Sequence, residues 1–127
     1  MLISRRYATK LDWTNGPLAE GLQRHQEGAY FAAHEAWESV WLHAEEPAKT
    51  FLQALIQTTA ACYHLQRKNW RGASRLLTAA LDRLEGYPHS FGGICVGSLR
   101  DDIRTCQSAL TADEPKASVM FVRIVTL

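Results

Sequence analysis

Cysteine, proline and unbalanced charge are all scarce in this chain of 127 residues, and each scarcity removes a class of protein. The three cysteines, Cys62, Cys95 and Cys106, are odd in number and form no C-x-x-C pair, which argues against a disulfide framework and a thiolate zinc site. Fourteen basic residues against thirteen acidic ones leave a net charge of +1, so no polyanionic partner is implied and nucleic acid is not expected. No segment approaches the roughly 18 apolar residues of a membrane span. Behind the N-terminal MLISRRYATK there is no apolar run of signal-peptide length. The patterns G-x-x-x-x-G-K-[ST], G-x-S-x-G and G-x-G-x-x-G are missing, and Gly92-Gly93 alone is not a phosphate loop. With 46% hydrophobic and 21% charged residues, the composition is that of a cytoplasmic globular protein folding as a single domain over residues 1–127.

The few prolines, with the glycines, punctuate the chain. Residues 1–16 show no periodicity and read as an irregular arm. Pro17 suits the first turn of a helix that Gly28 ends. Tyr30 to about Ala44 forms a second helix, with Tyr30, Ala33, His34, Trp37, Val40, Trp41 and Ala44 on one face at 100° per residue. Pro47 opens a third, running to about Lys68 and apolar over most of its circumference, with Gln53, Gln57 and His64 as its polar row. Asn69 caps a fourth, from Trp70 to about Glu85. The glycine-rich stretch 86–97 is expected to be a loop pinned by Tyr87, Phe91 and Ile94. Ser98 then caps a fifth helix, ending near Leu110, with Asp101 and Asp102 in its first turn.

After Asp113-Glu114-Pro115, the tail SVMFVRIVTL is rich in β-branched residues. It is expected to lie extended across the helices, or to pair with another subunit in a homo-oligomer. An offset of 40 residues sets Tyr30 over Trp70, Ala33 over Ala73, Trp37 over Leu77 and Trp41 over Leu81. The expected architecture is therefore all-α: a compact bundle of about five helices over 17–110, built from two tetratricopeptide-like antiparallel hairpins, with an extended tail over 111–127.

The unusual stretch is GAYFAAHEAWESVW, from Gly28 to Trp41. His34 and Glu38 are four residues apart and so share a helical face. His34 lies among Tyr30, Trp37 and Trp41 and is expected to be buried. An unpartnered polar group there would cost roughly 2–7 kcal/mol. A meeting of His34 and Glu38 with Gln53, Gln57 and His64 of the third helix is therefore expected. Such a cluster admits several readings. It is a structural hydrogen-bonded network; a small-ligand pocket formed by Glu35, Gln53, Gln57 and His64; a hydrolase-like site in which Glu38 orients His34 as general base; or a divalent-metal site with His34, Glu38 and His64 as ligands. Neither the H-E-x-x-H pattern of a zincin nor the carboxylate set of a di-iron bundle fits. A further reading is a non-catalytic interaction module that uses a groove between the hairpins or the tail from Ser118 to Leu127. Trp37, Trp41 and Trp70 read as core, Arg67, Lys68, Arg71 and Arg75 as a solvated face, and His25, His43 and His89 as surface residues.

Two motifs carry a resemblance. The string Gly28, Tyr30, Phe31, Ala33, His34, Glu35, Trp37, Glu38, and a second set, Phe51, Gln53, Ile56, Gln57, His64, Asn69, Gly72, Ala73, resemble the small bacterial and archaeal family catalogued as domain of unknown function 309, over about residues 20–110. The chain departs from that pattern at Ala32, usually Glu; at Ala54 and Lys68, usually Gly; and at Cys95, where an acidic helix cap is common. The resemblance implies an all-helical bundle and names no activity.

Overall fold

The computed structural model describes residues 11–112 and 121–127. Residues 1–10 of the expected N-terminal arm and residues 113–120 of the expected tail, including the break at Asp113-Glu114-Pro115, lie outside the described residues. Within them the chain forms α1 (Gly16–Gln26), α2 (Tyr30–Trp41), α3 (Ala48–Gln66), α4 (Trp70–Leu84), β1 (Ser90–Phe91), β2 (Ile94–Cys95) and α5 (Val96–Thr111). Each helix packs on the next: α1 on α2, α2 on α3, α3 on α4 and α4 on α5. The fold is the expected helical bundle.

Two helical hairpins repeat, and their turns show why. After α1, Gly28 takes a φ of 82°, its N–H donates to His25 O, and Ala29 N–H donates to Arg24 O. After α3, Lys68 takes a φ of 59°, its N–H donates to Leu65 O, and Asn69 N–H donates to His64 O. Both are Schellman caps, which close a helix by turning one residue into the left-handed region. They stand forty positions apart, as do the α1–α2 and α3–α4 pairs they join. The second cap adds an N-cap, with Asn69 Oδ1 accepting from Gly72 N–H at 3.1 Å.

α3 is the central element. Phe51, Leu52, Leu55, Ala61, Cys62 and Leu65 are all buried along it, so it is covered on several sides, as its broad apolar surface requires. Against it lies the fully buried Trp37 of α2, whose Nε1–H donates to Leu18 O at 3.1 Å. Gly21 of α1 makes room for that ring, because a Cβ there would overlap the indole nitrogen.

The structure differs from the sequence expectation at three places. α2 ends at Trp41 rather than Ala44, with Leu42 as its cap. The stretch 86–97 is not a plain loop: β1 and β2 pair antiparallel, Ser90 with Cys95 and Phe91 with Ile94, around Gly92 and Gly93 at φ 57° and 87°. Two consecutive positive φ values are what a primed hairpin turn demands, and glycine supplies them without strain. β2 runs directly into α5, so the cap is Cys95 rather than Ser98, and no carboxylate lies in the first turn.

The described part of the tail, 121–127, lies extended against the β-hairpin of its own chain. Thr126 bridges Ile94, Cys95 N–H donates to Val125 O at 2.8 Å, and Leu127 N–H donates to Gly93 O at 2.9 Å. Val122 and Ile124 point into the core, while Arg123 reaches Asp102 of α5 at 3.4 Å. Among the described residues no helix is long and apolar enough to cross a membrane.

Candidate functional site

The helical geometry of α2 decides where its polar residues go. Its buried stripe is Tyr30, Ala33 and Trp37. At 100° per residue His34 lies roughly 70° from the centre of that stripe and Glu38 roughly 105° from it. His34 is accordingly 32% exposed and Glu38 48% exposed, which corrects the expectation of a buried pair. They do meet: His34 Nε2 stands 3.5 Å from Glu38 Oε2.

Beyond this pair lies a row of rings. Phe31 stacks on His34, with centroids 6.4 Å apart and planes 13° apart, and touches Tyr63 of α3 at 6.0 Å. Tyr63 continues to His64 at 5.8 Å and carries the Arg67 guanidinium 5.4 Å above its ring. His64 is therefore separated from His34 by two aromatic side chains. Its Nδ1 accepts instead from Asn69 Nδ2–H at 3.0 Å, binding the last turn of α3 to the cap of α4. Among the described residues no three His, Cys, Asp or Glu side chains come together to hold a metal ion, so His34, Glu38 and His64 do not form the three-ligand set.

Two contacts fix the register of α2 against α3. Phe31 meets Tyr63, and Lys49 Nζ lies 4.9 Å above the Trp41 ring. In an antiparallel pair aligned this way, Gln57 lies level with His34 and Gln53 level with Glu38. Both glutamines are half-buried, and Gln57 Oε1 is buried without a hydrogen-bond partner, as is Trp41 Nε1. Of the expected five-residue cluster, the α2/α3 seam holds His34 and Glu38 in contact, with Gln53 and Gln57 half-buried at their level, while His64 turns to Asn69.

The outer face of α2 carries a second pattern. Phe31, Glu35, Glu38 and Leu42 follow one another at intervals of four, three and four residues and are all exposed, Phe31 and Leu42 at 58% each. They fall within an arc of roughly 60°. Two glutamates are thereby bracketed by two large apolar side chains.

A histidine expected at the surface is instead in the core. His25 is 3% exposed, with Nε2–H donating to Val122 O at 2.8 Å and Nδ1 accepting from the Thr59 hydroxyl at 2.9 Å. It stacks on Trp37 at 5.9 Å and meets Tyr30 edge-on at 5.0 Å. Burial lowers its pKa from the ordinary histidine value, against the opposing hydrogen bond to Val122. The signal was present: His25 follows Leu18 and Leu22 on one α1 face, and at the forty-residue offset it falls on buried Leu65.

Residues 18–76 match the family model described as Domain of unknown function (DUF309). This stretch belongs to that family. The DUF309 match covers α1 from Leu18, α2, α3 and the first half of α4, so it includes both Schellman caps, the His34–Glu38 pair and the whole α2/α3 seam. The β-hairpin, α5 and the tail lie beyond it. No curated protein matches the chain.

Proposed function

We propose that this DUF309 protein is a non-catalytic recognition module, and that the outer face of α2 docks a basic amphipathic helix of a partner protein. The observation that carries this reading is the exposed row Phe31, Glu35, Glu38, Leu42. Its three-and-four spacing is the one by which a helix presents a seam to another helix. The two glutamates call for lysine or arginine between the apolar anchors of the partner, since complementary charge sets register and partner choice. Exposure of His34 and Glu38 to water favours recognition over chemistry that must exclude solvent.

Calorimetric titration with a synthetic helix carrying leucines and lysines at heptad spacing is the test. Binding is expected to weaken with added salt and to vanish in Glu35→Lys/Glu38→Lys. A peptide that binds the double variant as well as the parent, or binds neither, contradicts the reading.

A small polar ligand in the α2/α3 seam is the second reading. It is favoured by Gln57 Oε1, buried and unpartnered at the level of His34. A ligand with a donor group for that oxygen would lose affinity in Gln57→Leu while the peptide titration stays unchanged.

A further inference from the structure

The tail leaves one edge of a small sheet open. Val125 C=O and Leu127 N–H are spent on Cys95 of β2 and on Gly93 of the turn before it, so the alternating residues Ile124 and Thr126 direct their N–H and C=O groups away from the hairpin. Among the described residues, neither makes a backbone hydrogen bond on that side. This edge borders a cavity of 370 Å³, lined across from the strand by His25, Gln26 and Tyr30. Towards its start the edge is closed, because Val122 O already accepts from His25. Phe121, Val125 and Leu127 stand exposed on the same segment.

We infer that this edge pairs antiparallel with the same edge of a second copy of the chain, about a two-fold axis through Val125. Among the described residues of this edge, Ile124 and Thr126 offer both groups free, and the register that uses both sets each copy's Ile124 opposite the other copy's Thr126. Each such pair exchanges both N–H and C=O, which makes the contact self-complementary. Val125 then faces its own symmetry mate as a non-hydrogen-bonded pair, the arrangement in which side chains stand closest. Charge permits the contact. Arg123 is the only ionisable side chain in 121–127, and Asp102 already holds it at 3.4 Å. Natural edge strands are usually guarded by a lysine, a proline or an inward-pointing charge, and at 124 and 126 there is none.

Sedimentation of the full chain, with amide hydrogen exchange across a dilution series, tests the pairing. Expected are a mass twice that of the chain, dissociation on dilution, and protection of the Ile124 and Thr126 amides that rises with concentration. Thr126→Pro removes an outward N–H and leaves the bonds to β2 intact. Val125→Lys sets two ammonium groups on the axis at an exposed position. Both variants should be monomers of parental helical content, and if the proline variant fails to fold, the lysine variant still decides. A wild-type monomer at millimolar concentration overturns the inference. So does a dimer that survives Val125→Lys, or protection of these amides only by a foreign peptide.

Discussion

Lys68 occupies the place that Gly28 takes in the first hairpin, at a φ of 59° against 82°. A side chain in the left-handed region costs roughly 1–2 kcal/mol relative to glycine. Lys68→Gly should therefore raise the free energy of unfolding in denaturant by about 1 kcal/mol, and Gly28→Ala should lower it by about the same. Space is not the obstacle at Gly28, where a Cβ would lie an ordinary 3.6 Å from Gln66 Nε2. A Lys68→Gly protein no more stable than its parent would show that the second cap has relaxed. The thiols differ as sharply. Cys62 and Cys106 are buried, which pushes their pKa values up to about 12 and about 11, while Cys95 is part-exposed beside α5. A thiol-reactive dye should find one group in the native protein and none in Cys95→Ser, whereas rapid labelling of all three would mean an open core. His34→Ala, at a position one-third exposed, should change stability by less than about 1 kcal/mol.

At the scale of elements, His25 is the pin that joins α1, α3 and the tail. His25→Ala removes the donor to Val122 O and the acceptor for Thr59 and opens a hole beside Trp37. It should cost about 2–4 kcal/mol in a denaturation experiment, with the tail amides losing protection first. A neutral result would mean that the tail is held by Val122 and Ile124 burial alone. Most of the helices were legible in the residues, because Pro17, Gly28, Asn69 and the apolar spacing of Tyr30, Ala33 and Trp37 act locally. The β-hairpin was missed because its Gly92-Gly93 turn joins strands of only two residues, too short to show alternation. The capping of α5 was misplaced for a similar reason: Ser98 is a good cap by type, but β2 delivers the chain already turned at Cys95. In the candidate site, sequence spacing correctly joined His34 to Glu38. It places His34 in the core because Val40, Trp41 and Ala44 widen the apolar stripe, whereas the packing of Tyr30, Ala33 and Trp37 defines its buried centre. His64 was drawn to the seam by its spacing from Gln57, yet Asn69 lies nearer.

For the molecule as a whole, these terms give a pH dependence with a definite sign. Burial lowers the His25 pKa in the folded state, so the unfolded chain takes up a proton first as pH falls. The stability supplied by neutral His25 is complete above about pH 6.5, the ordinary histidine value, and declines as pH drops below it. Melting temperature should fall across that range in the parent protein and more shallowly in His25→Asn; equal slopes would assign the loss to other groups. The same frame presents two separate surfaces, the open tail edge near α1 and the outer row of α2. The proposed partner helix docks on the second of these, the outer row of α2. Backbone-amide NMR of the full chain, titrated with the leucine–lysine helix, tests this most directly. Docking on α2 should give shifts concentrated at Phe31, Glu35, Glu38 and Leu42 that disappear when both glutamates are changed to lysine. Shifts confined to the tail, or scattered without preference for α2, would contradict it.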